Sequence, residues 1–88
     1  MNLYLSLPGA CMPFTPSQMD ELTILTQFNL DSMQSGIKVH AHEASPAMVA
    51  AAARLHSKGL VTQPDGGYLT GLGLDAARHA QALALILK

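Results

Sequence analysis

The sequence predicts an α+β, mostly helical domain: three helices, a β-hairpin and a C-terminal helix. Three observations carry this. Ser45-Pro46 opens a helical stretch that Lys58-Gly59 closes. Leu60–Gln63 and Tyr68–Thr70 are short strand-like runs around Pro64-Asp65-Gly66-Gly67. A further helix starts near Leu72, with almost no slack between elements. Ser at an N-cap, Pro at the first helical position and Gly just past the end are the residues that helix termini require. Pro-Asp-Gly between two apolar runs supplies turn chemistry. Helix, hairpin, helix in so few residues is the pattern of a winged helix, a fold that often reads nucleic acid.

The first helix is expected from about Pro16 to Phe28. Thr15 caps it, Pro16 sits at its first position and Gln18 completes a capping box, with Phe14 placed to staple onto Met19. Asp20 and Glu21 suit the positive end of the helix dipole. Leu22, Leu25 and Phe28, with Met19 and Ile24 nearby, give an apolar stripe at helical spacing. Asp31 can cap a short second helix, Ser32 to about Gly36, after which Ile37-Lys38-Val39-His40 alternates like a short strand or extended loop. The third helix is expected from Pro46 to Lys58, the wing from Leu60 to Thr70, and the fourth helix from about Leu72 to Leu87, capped by Thr70. Residues 1–11 carry no charge and no clear period before the Pro8-Gly9 break, so they are expected to be a disordered N-terminal extension, with the organised domain over 12–88.

Composition narrows the function. The chain has 88 residues, 49% of them hydrophobic, and a net charge of −1, which fits one small globular domain. A strongly basic chain would have argued for nucleic acid; this balance does not. One cysteine, Cys11, excludes an intramolecular disulfide and a cysteine zinc site and suits a reducing cytoplasm. The N-terminus lacks the basic residues and long apolar core of a signal peptide. The run Ala80 to Leu87 is too short to span a bilayer, which needs about 20 residues.

The third helix is the candidate recognition helix. Met48, Val49, Ala52 and Leu55 form its inner face. Ala47, Ala50 and Ala51 would face the groove of double-stranded DNA, while Arg54 and Lys58, with Lys38, would contact phosphates. Alanine can touch a thymine methyl but offers no hydrogen bond, so base-specific reading is poorly supported. The wing adds Gln63 and Tyr68 as polar contacts, whereas Asp65 at its tip would repel phosphate. The bland alternative for Arg54 and Lys58 is a solvated cationic face near a helix C-terminus.

The last turns of the fourth helix are apolar almost all round, and a single small domain cannot cover every face. Leu83, Leu85, Ile86 and Leu87 are therefore expected in a homodimer interface. His40-Ala41-His42-Glu43 invites a metal reading, but nothing fixes a third ligand from His56 or His79, so no metal is expected. Gly71-Leu72-Gly73-Leu74-Asp75-Ala76 matches a dinucleotide pattern, but no second parallel strand and no acidic residue about 20 positions on follow it. Those glycines are expected to serve a tight strand-to-helix turn. No nucleophile–base pattern points to catalysis, and no cofactor or small-molecule ligand is expected.

Met12-Pro13-Phe14-Thr15, Phe28-Asn29-Leu30-Asp31-Ser32, Gly36–His40, Arg54–Leu60 and Asp65–Thr70 resemble a small, uncharacterised gammaproteobacterial family over Met12 to Lys88. Its members are described as candidate DNA-binding proteins and begin at the equivalent of Met12. More loosely, Arg54-Leu55, Lys58-Gly59-Leu60, Asp65-Gly66, Leu69-Thr70 and Gly73 are similar to the wing region of MarR-type regulators. Ile37 to Ser45 is longer than the tight turn of a strict helix-turn-helix. The resemblance implies a cytoplasmic DNA-binding or transcription-regulatory protein. The alternative is a protein-interaction module that does not bind DNA and acts through homo- or heterodimerisation. The residues that separate the two are Lys38, Arg54 and Lys58, whose convergence on one face favours DNA, and Asp65, Asp20 and Glu21, whose presence on that face favours the interaction module.

Overall fold

Capping chemistry sets where each helix begins in the computed structural model, which describes residues 13–32 and 35–88. The expected N-terminal extension lies outside those residues. Helix α1 (Pro16–Leu25) starts from Thr15, whose hydroxyl accepts from Gln18 N while the Gln18 side chain accepts from Thr15 N. Helix α2 (Pro46–Ser57) starts from Ser45, which accepts from Met48 N at 3.2 Å. Helix α3 (Gly71–Leu87) starts from Thr70, which accepts from Gly73 N at 3.0 Å. Each cap satisfies a backbone donor that a first helical turn leaves orphaned.

Strand β1 (Ile37–Lys38), strand β2 (Val61–Gln63) and strand β3 (Gly66–Leu69) form one antiparallel sheet in the order β1-β3-β2. β2 and β3 are the hairpin, with Val61 opposite Leu69 and an irregularity before Gln63 pairs with Gly66. β1 adds to the far side of β3, Ile37 against Gly67 and Lys38 against Gly66. The architecture is α+β: three helices and a small three-stranded sheet among the described residues.

Two expectations are corrected here. The short helix over 32–36 is absent at Ser32, Ser35 and Gly36; Met33 and Gln34 lie outside the described residues. Asn29 Oδ1 accepts from Asp31 N at 2.9 Å, so the local turn is capped by Asn29. Pairing with β3 then draws the following residues into an extended path. α1 also stops at Leu25, three residues earlier than its apolar stripe suggests, and the amides of Thr26 and Gln27 close it by donating to the Leu22 and Ile24 carbonyls. Phe28 is buried from the turn beyond the helix.

The core joins Ile24, Leu25 and Phe28 to Ala51, Ala52 and Leu55 of α2, Val61 of β2, and Ala77 and Ala80 of α3. Small alanines where helices meet let the three backbones come close around few large side chains. Gly73 takes this furthest. It is buried, and a Cβ there would collide with the Leu60 carbonyl, so α3 can lie against the hairpin base only with glycine at this position. Within the Gly71-x-Gly73 pattern, Gly73 thus has a packing reason, whereas a Cβ at Gly71 would meet nothing. Gly59, at φ +79°, ends α2 in the left-handed region that its position requires.

Candidate functional site

Helix α2 divides its surface between two neighbours. Its cationic side faces α1. Arg54 Nε donates to Glu21 Oε2 at 3.0 Å and Lys58 Nζ donates to Glu21 Oε1. Arg54 Nη2 also reaches the Ser17 carbonyl at 3.2 Å. The Glu21 side chain is 7% exposed, against 35% for Arg54 and 48% for Lys58. Burial pushes the Glu21 carboxyl up, but the hydrogen bonds and charges of Lys58 and Arg54 outweigh that. It is held below its ordinary value of 4.5.

The other side of α2 is nearly featureless. Ala47, Ala50 and Ala53 are exposed, while Ala51, expected to face a groove, is fully buried in the core. That correction follows from the pitch: positions four apart share a face, and Ala51 lies with Leu55 on the buried one. Val49, expected inside, instead lines a surface groove of about 790 Å³ between α2, residues 38–42 and the hairpin tip. Val39, Val49, Ala53 and Pro64 give this groove its apolar floor, with Lys38, His40, His42, Gln63 and Asp65 around them. Lys38 Nζ stands 3.7 Å from Asp65 Oδ2. Gln63 and Tyr68 are exposed on the hairpin.

Of the three cations expected to meet phosphate, Arg54 and Lys58 are held together by Glu21, while Lys38 stands beside Asp65 in a solvent-exposed pair. Of the lysines and arginines in no ion pair among the described residues, Arg78 lies on α3 and Lys88 follows its last residue. Sequence reasoning placed Glu21 at the helix dipole, but it falls beyond the first turn of α1 and acts as the acceptor for α2. The only available signal was a glutamate on the same stripe as Leu25 and Phe28, at helical spacing.

α3 buries Gly73, Ala77 and Ala80 and leaves its end bare. Leu83 is 43% exposed, Leu85 72%, Ile86 77% and Leu87 75%, and Leu72 near the start is 60% exposed. Gln81 anchors this helix to α1: its Nε2 donates to the Phe28 carbonyl at 2.7 Å and to the Leu25 carbonyl at 3.2 Å. His79 Nδ1 lies 2.7 Å from the Asp75 carbonyl. No cluster of three or more potential metal ligands occurs among the described residues, and no helix there is long and apolar enough to cross a membrane.

No curated protein and no solved structure matches the chain. A family model does, over residues 12–88, and it covers every element described above. On that match, the chain belongs to the family of unknown function DUF5669.

Proposed function

We propose that this winged-helix-like domain is a non-catalytic protein-interaction module that engages its partner through the exposed face of α3, rather than a reader of DNA. The carrying observation is the pairing of Lys38, Arg54 and Lys58 with Asp65 and Glu21. A phosphate contact by any of them would have to compete with a carboxylate already in place, and phosphate contacts supply most of the affinity of DNA binders. The exposed side of α2 offers alanines, which carry no hydrogen-bond code for base edges. Apolar side chains left bare in one contiguous region, as at the end of α3, usually mark a partner surface.

Fluorescence anisotropy of a labelled mixed-sequence duplex, titrated with the full chain at two salt concentrations, tests this. The expected result is no saturable binding at high micromolar protein in low salt. Affinity that falls steeply with salt, and whose slope flattens by up to about 2 when Arg54→Ala and Lys58→Ala are combined, would instead establish the DNA-binding regulator.

A further inference from the structure

We draw no further inference here: the strongest candidate, the groove of about 790 Å³ between α2, residues 38–42 and the hairpin tip, has its lysine already beside Asp65, and nothing in the structure shows what would occupy it.

Discussion

Glu21 and Arg54 are 33 positions apart in the chain, yet Arg54 Nε lies 3.0 Å from Glu21 Oε2, with Lys58 on the other carboxylate oxygen. One buried acid thus takes up two cations of the helix that would otherwise present them to solvent. Glu21→Gln removes the charge but not the shape. Its expected cost is about 2 kcal/mol in urea denaturation, because both cations are exposed enough to turn to water.

The same pair sets an acid limit. The folded-state value of Glu21 lies below its ordinary 4.5, so its contribution is present above pH 4.5 and is lost as the pH falls through the lower folded value. Stability of the natural chain should therefore fall below about pH 4.5. The Glu21→Gln variant should lose less over the same interval, and parallel acid-denaturation curves for the two proteins would contradict this.

Gly73→Ala should be the most tightly opposed added methyl among the described glycines. The new Cβ meets the Leu60 carbonyl, which is backbone and cannot swing aside. A loss of about 3 kcal/mol is expected, with Gly71→Ala nearly neutral, since nothing lies within 4 Å of a Cβ there. Thermal melts of the two variants provide the comparison.

Gln81→Ala leaves the Leu25 and Phe28 carbonyls without their side-chain donor. A cost of about 1–2 kcal/mol is expected. Exchange of the amides at the end of α1 should speed up more than exchange in β2 and β3. Equal acceleration throughout would mean that Gln81 contributes only to global stability.

What the chain reveals without its structure follows the range of each interaction. Thr15, Ser45 and Thr70 cap the helices they precede, and those bonds span three residues, so sequence displays them directly. The hairpin turn is legible for the same reason. Glu21 with Arg54 and Lys58, and Gln81 with Phe28, join residues 33 or more positions apart, and no local pattern announces them. Ala51 was misplaced because a helix of alanines has too little contrast to show which face is buried. β1 escaped a firm assignment because two residues carry no periodicity and take their form from β3.

The hairpin is held at both ends. At its base, Thr70 donates from its hydroxyl to the Gly59 carbonyl at 2.6 Å and from its amide to the Leu60 carbonyl at 3.1 Å. Near its tip, Val39 N donates to the Asp65 carbonyl at 2.7 Å, and β1 lies alongside Gly66 and Gly67. A projection tethered only at its root could swing and change the width of the groove against α2. This one is fastened at its root and, through β1, at its tip, and both tethers oppose such a swing. A ligand of this groove would meet a hairpin wall already held in place, so little of its binding energy would go into ordering that wall.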